Sequence, residues 1–207
     1  MIRAVVFDFG NVLCFPPSDA KVEAAAHFCG QSVFEFLEAF WKQRLDYDAG
    51  LMEPEAYWAT VTGSEFAVQN LQQLIQHEID FWNSYDVRVF DWIDKLKQAG
   101  IRIGMLSNLP RAVGEALRAE SLLGKRFVDH FDHVTMSWEL KVVKPQPAIY
   151  HHSFEGLGVA PAESLFIDDK MPNVQGAMET GMRAELYTTW EEFLDRRIPA
   201  LYGLPKP

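Results

Sequence analysis

The chain has 207 residues, of which 48% are hydrophobic and 23% charged, and its formal net charge is −10 at pH 7. That is enough chain for one full domain and a modest insertion, with the composition of a folded protein and not of a disordered one. The acidic balance argues against a nucleic-acid or anionic-lipid surface, two cysteines (Cys14, Cys29) are too few for a disulfide framework, and no apolar run approaches a membrane span, so an untargeted cytoplasmic protein is expected.

Residues 3–7 form a short apolar run, as expected of a strand buried on both faces, and Asp8 ends it. From about residue 15 to 84 the pattern changes to helix after helix, with no convincing strand. A Ser32–Glu35 capping box opens one helix, whose stripe is Val33, Phe36, Leu37 and Phe40, and Leu71, Leu74, Ile75, Ile79 and Trp82 form a second stripe. The aromatics Phe36, Phe40, Trp41 and Trp58 read as the core of this helical segment. Between the stripes, Arg44, Tyr47 and Asp48 precede Gly50 in a helix-breaking stretch and are candidates for substrate selection.

Strand and helix then alternate. Asp86 can cap a helix ending before Gly100, with Val89, Ile93 and Leu96 on one face, and apolar runs return at 101–106 and 164–167. Lys144-Pro145 precedes a further helix, on which the adjacent His151 and His152 point in different directions and form no metal pair. This order predicts an α/β fold with a doubly wound, Rossmann-like parallel sheet. A helical cap domain (15–84) is inserted after the first strand of a core domain (1–14 and 85–207).

Each of the three strands ends in small polar or acidic residues: Asp8, Ser107-Asn108 and Asp168-Asp169. Parallel strands deliver such ends to one rim of a sheet, where open α/β folds place ligands. Phe7-Asp8-Phe9-Gly10-Asn11-Val12-Leu13, Leu106-Ser107-Asn108, Lys144-Pro145 and Phe166-Ile167-Asp168-Asp169 with Asn173 resemble, in type, order and spacing, the four motifs of haloacid dehalogenase-like (HAD) hydrolases. The wording around Asp8 is also similar to a subgroup with a bacterial α-glucose-1-phosphate phosphatase, and more distantly to the N-terminal phosphatase domain of soluble epoxide hydrolases.

The resemblance implies a hydrolase of phosphate monoesters in which Asp8 takes the phosphoryl group as an aspartyl phosphate. A carboxylate and a phosphate dianion repel by about 4 kcal/mol per charge pair at 4 Å and an effective dielectric of 20, so a cation must sit between them. Mg²⁺ suits that task. The implied ligands are the Asp8 carboxylate, the Gly10 backbone carbonyl and Asp169, with Asp168 and Asn173 ligating or orienting. Ser107 and Asn108 would donate hydrogen bonds to the phosphoryl oxygens, and Lys144, with Lys141 as a competitor, would neutralise charge. Cys14 reads as a buried, inert thiol near the hinge.

The pattern departs from the family at Gly10, where most of its phosphatases carry a second aspartate as general acid and base. A glycine there admits a positive φ, and the missing acid should slow turnover without abolishing it. The expectation is a small phosphorylated substrate, a sugar phosphate among the candidates, and no nucleic-acid or membrane partner, with the protein a monomer or homodimer. Two alternatives remain: a 2-haloacid dehalogenase using the same aspartate, against which the Asp168-Asp169 pair argues, and a catalytically weakened regulatory binding protein.

Overall fold

The computed structural model describes residues 1–207. In strand β1 (Ala4–Phe7), Ala4 and Val6 enter one hydrophobic cluster and Val5 and Phe7 another, so both faces are covered. Strand geometry sends alternate side chains to opposite faces, and an apolar residue at every position therefore demands a layer on each side. After β1 come five helices in succession: α1 (Asp19–Phe28), α2 (Val33–Lys42), α3 (Arg44–Asp48), α4 (Pro54–Thr62) and α5 (Ser64–Phe81). The chain continues through α6 (Val87–Gln98), β2 (Arg102–Ser107), α7 (Arg111–Ala119), a small hairpin of β3 (Ser121–Leu122) and β4 (Lys125–Arg126), β5 (His133–Met136) and α8 (Ser137–Leu140). It closes with α9 (Pro147–Gly156), β6 (Ser164–Asp168), α10 (Met171–Glu179), β7 (Arg183–Leu186), α11 (Trp190–Asp195) and α12 (Ile198–Leu201).

The main sheet has five parallel strands in the order β5-β2-β1-β6-β7. Phe7 lies level with Met105 on one side and Ile167 on the other, so the ends of β1, β2 and β6 emerge together at one rim. The three central strands are those expected from their apolar runs. The two edge strands, β5 and β7, are only partly apolar and partly exposed, because an edge strand of this sheet needs less cover.

Helices α1–α5 form an insert with its own core, in which Phe36, Phe40, Tyr57, Trp58, Leu74 and Phe81 are buried. The Ser32–Glu35 capping box opens α2 as expected, but Val33 is exposed and Leu37 only half-buried. Trp41 also departs from the expected core role: it is 49% exposed and lines a cleft between insert and sheet. The chain enters and leaves the insert side by side, with Cys14 bridged to Tyr85 and Phe15 N–H donating to the Ser84 carbonyl. Asp86 caps α6 through the Arg88 N–H, and Gly100 takes the left-handed conformation that stops it.

The insert is also held down away from the hinge. Ser137 Oγ donates to the Asp48 carbonyl at 2.5 Å, and Lys141 Nζ donates to the Gly50 carbonyl. Lys141, the competitor for the active-site cation, thus works at this junction. Gly50 has φ +63°, and a Cβ there would lie 2.9 Å from Lys141 Nζ and 3.0 Å from the Trp138 carbonyl oxygen. Only glycine satisfies both constraints without a shift.

Candidate active site

The rim of the sheet and the insert enclose a cleft of about 500 Å³. Asp8 lies at its floor, immediately after β1, and its Oδ1 accepts the Phe9 N–H at 2.7 Å. The next turn reverses the chain. Asn11 carries the positive φ of that turn, 61°, and Gly10 does not, contrary to the conformational role a glycine suggests. Asparagine tolerates the left-handed region better than most residues. What occupies the space beside Gly10 is Trp82, at the end of α5: a Cβ on Gly10 would lie 3.4 Å from its ring.

Lys144 reaches the floor from the loop before α9 and is buried. Its Nζ lies 2.6 Å from Asp8 Oδ1 and 2.6 Å from Asp168 Oδ2, and donates to the Leu106 carbonyl at 3.1 Å. The ammonium thus has two hydrogen-bond acceptors, Asp168 and the Leu106 carbonyl, and an ion pair with Asp8. Asn108 holds this lysine in place: its Nδ2 donates to the Lys144 carbonyl at 3.1 Å and its Oδ1 accepts the Lys144 N–H at 2.8 Å. The side chain expected to donate to phosphoryl oxygens is thus engaged in bracing Lys144 while it lines the cleft. Ser107 is buried and lines the cleft.

Asp168 is fully buried and braced as well, with Oδ1 accepting Lys170 N–H at 2.8 Å and Asn173 Nδ2 at 3.0 Å. Asp169 faces the cleft and is steadied by Asn11 Nδ2 at 2.8 Å, a contact sequence reasoning did not anticipate. Ligand oxygens of Asp8, Asp168 and Asp169 lie within 4.8 Å of one another. Three carboxylates against one ammonium leave a surplus of negative charge in a buried place. Burial, with the charges of Asp168 and Asp169, pushes the Asp8 carboxyl up to about 7 against the pull of Lys144. Lys144 also loses solvation, but the carboxylates of Asp168 and Asp8 outweigh that and hold it above the ordinary lysine range. An all-oxygen donor set with unbalanced negative charge fits a hard divalent cation such as Mg²⁺.

The insert supplies the roof. Arg44 and Asp48 line the cleft, whereas Tyr47 does not: it is buried in the insert, stacked on Tyr57 at 3.9 Å, with its hydroxyl donating to Glu78 Oε2 at 3.3 Å. Its place in the chain suggested substrate contact because a helix-breaking stretch is usually exposed; here α3 turns that side chain inward. Arg44 is bound to Glu78 at 2.5 Å and lies 2.8 Å from Asp48 Oδ1. Burial raises the Glu78 carboxyl, and raises Asp48 to about 6, in both cases against the pull of Arg44. Arg44→Leu is therefore expected to lower the thermal midpoint by several degrees. A carboxyl held above its ordinary range favours the fold only while protonated, so the loss should grow from about pH 6 to about pH 8 in thermal melts. An equal loss at both would deny these carboxyls that role.

His151 is exposed, and His152 packs by Thr135 and His133; neither lines the cleft. Cys14 is buried, and burial pushes its thiol up to about 12. Lys170, which sequence reading overlooked, lies at the cleft with its ammonium 5.8 Å from the Trp41 ring. No periodicity marks a residue that matters only because the insert folds over it.

The family model for haloacid dehalogenase-like hydrolases matches residues 2–181. A D-ribitol-5-phosphate phosphatase from Bacteroides thetaiotaomicron is 27% identical over 188 residues, spanning 87% of this chain and 89% of that protein. An (S)-2-haloacid dehalogenase 2 from a Pseudomonas species is 26% identical, spanning 98% of this chain and 93% of the other. In fold, the chain is similar to a HAD family enzyme from Bacteroides thetaiotaomicron solved with magnesium and inorganic phosphate, at TM-score 0.72 and 20% identity, covering 93% of this chain and 99% of that one.

Proposed function

The chain belongs to the haloacid dehalogenase-like hydrolases, and from that premise we propose that it is a Mg²⁺-dependent phosphatase of a small phosphorylated metabolite, with residues 15–84 acting as a cap domain over the core. The observation that carries this is the convergence of Asp8, Asp168 and Asp169 about one point beside Lys144. Bound among those carboxylates, a divalent cation supplies the positive charge that lets a carboxylate approach a phosphate dianion. Asp8 attacks phosphorus and becomes the aspartyl phosphate, which water then hydrolyses. The Ser107 hydroxyl and the Asn108 N–H donate to the phosphoryl oxygens, and Lys144 offsets their charge. Asp168 and Asn173 hold Lys144 and the metal-binding loop in position, and the Gly10 carbonyl is available as a further ligand. The similar ribitol-phosphate enzyme supports a polyol or sugar phosphate as substrate.

The similar dehalogenase motivates the rival reading, in which Asp8 attacks carbon and expels halide. Three carboxylates around one lysine support the phosphatase, because a halide-displacing aspartate has no need of the second and third. One assay separates them. Aryl phosphate is expected to be hydrolysed with Mg²⁺ and not with chelator, and 2-chloropropionate to release no halide. Halide release with full activity in chelator would reverse the assignment; binding of phosphate esters without turnover would favour a regulatory protein. Asp169→Ala is expected to raise the Mg²⁺ concentration for half-maximal activity at least about tenfold, since one carboxylate ligand is lost. A titration curve that does not move would remove Asp169 from the metal site.

A further inference from the structure

Expulsion of an alkoxide from a phosphate ester calls for a proton at the departing oxygen, and the cleft offers few sources. Its titratable lining residues are Asp8, Arg44, Asp48, Lys144, Asp169 and Lys170; no histidine, tyrosine or cysteine lines it. Asp8 is the attacking group and Asp169 belongs to the carboxylate cluster. Lys144 is hydrogen-bonded to Asp168 and the Leu106 carbonyl and ion-paired with Asp8, and it offsets their charge. A guanidinium does not give up its proton in proteins, which removes Arg44. Lys170 is an exposed ammonium, suited to offset phosphate charge. The space beside Gly10, from which a core side chain could act, lies against the Trp82 ring.

We propose that Asp48, on the insert, is the proton donor to the leaving-group oxygen and the base for the water of the second step, an assignment that rests on the phosphatase reading. Its position follows from its backbone. The Asp48 carbonyl is held by Ser137 Oγ, which also accepts the Leu109 N–H at 3.0 Å, so Asp48 is fixed beside the loop that carries Ser107 and Asn108. Its Oδ1 is paired with Arg44 Nε at 2.8 Å, so Arg44 orients the carboxyl. Arg44 from α3, Glu78 from α5 and Lys170 from the core are the charged groups around it; burial, with the Glu78 charge, pushes its carboxyl up to about 6 against the pull of Arg44 and Lys170.

In the first step Asp8 Oδ forms a bond to phosphorus, the bond from phosphorus to the ester oxygen breaks, and the Asp48 proton passes to that oxygen to release the alcohol. In the second, the Asp48 carboxylate takes a proton from water as its oxygen bonds to phosphorus. The bond to Asp8 breaks, inorganic phosphate leaves, and both carboxyl groups return to their starting states.

The test compares an alkyl phosphate with an aryl phosphate, whose leaving group departs readily as an anion, in Mg²⁺ across pH. Asp48→Asn is expected to lower the alkyl-to-aryl ratio of kcat/KM at least about tenfold and to flatten the alkaline limb of the alkyl profile. Glu78→Gln, which removes a neighbouring charge but keeps the donor, is expected to keep the wild-type ratio below the alkaline limb and to move that limb to lower pH. A folded Asp48→Asn variant with an unchanged ratio overturns the assignment, and so does an equal fall in Glu78→Gln. Should Asp48→Asn not fold, the wild-type enzyme decides: an alkaline limb present for alkyl and absent for aryl phosphate supports the assignment, and parallel profiles overturn it. Absence of aryl phosphate turnover in the wild type overturns the phosphatase reading itself, whereas aryl turnover with an unchanged ratio overturns the role of Asp48 alone.

Discussion

Asp8→Asn is expected to eliminate phosphate ester hydrolysis, with a loss in kcat on the order of 10⁴-fold or more, because a carboxamide is a poor nucleophile and a poor cation ligand. The replacement is nearly isosteric, and its carbonyl oxygen can still accept the Phe9 N–H that Asp8 accepts at 2.7 Å. The fold should therefore persist, with circular dichroism and the thermal midpoint in chelator close to wild type. It also removes one of the carboxylates whose crowding disfavours the charged form of the site. Residual steady-state turnover above about one per cent, in protein free of deamidation, would place the nucleophile elsewhere.

Lys144→Met is expected to damage stability and activity together. The lysine is buried between Asp8 and Asp168, and truncating it leaves two carboxylates facing each other without a cation. Breaking a buried ion pair from one side costs about 3–5 kcal/mol. For a chain of this size that is a fall of roughly 6–20 °C in the thermal midpoint. Mg²⁺ should restore part of it, since a second cation then occupies the same field, so the difference between melts in Mg²⁺ and in chelator should be larger for the variant than for the wild type. Equal differences would mean that Lys144 and the metal do not share those carboxylates.

The parts of the fold written most clearly in the chain are those where burial is complete. β1, β2 and β6 are covered on both faces, so apolar residues run without interruption and the polar residue that ends each run stands out. β5 and β7 carry His133, Arg183 and Glu185, which an edge strand accommodates and which erase the apolar signal. The same contrast holds at the site. Asp8, Lys144, Asp168 and Asp169 sit at strand ends and in a short motif, where type and spacing point to chemistry. The bracing of Lys144 by Asn108, the steadying of Asp169 by Asn11 and the position of Trp82 over Gly10 depend on contacts between residues far apart in sequence. Tyr47 and Asp48 are neighbours in one turn of helix, and only the packing of α3 decides that one faces the insert core and the other the cleft.

The grip on the insert by Ser137 and Lys141 falls on main-chain carbonyls, those of Asp48 and Gly50, and not on side chains. Every amino acid has a carbonyl to offer. These two contacts are therefore indifferent to which side chains the insert presents to the cleft, and a substitution at Leu45 leaves them intact. Gly50 is the exception, pinned by its backbone conformation and by the atoms of Lys141 and Trp138 against it. A lineage built this way can explore new substrates by drift in the roof of the cleft while the attachment of that roof stays constant.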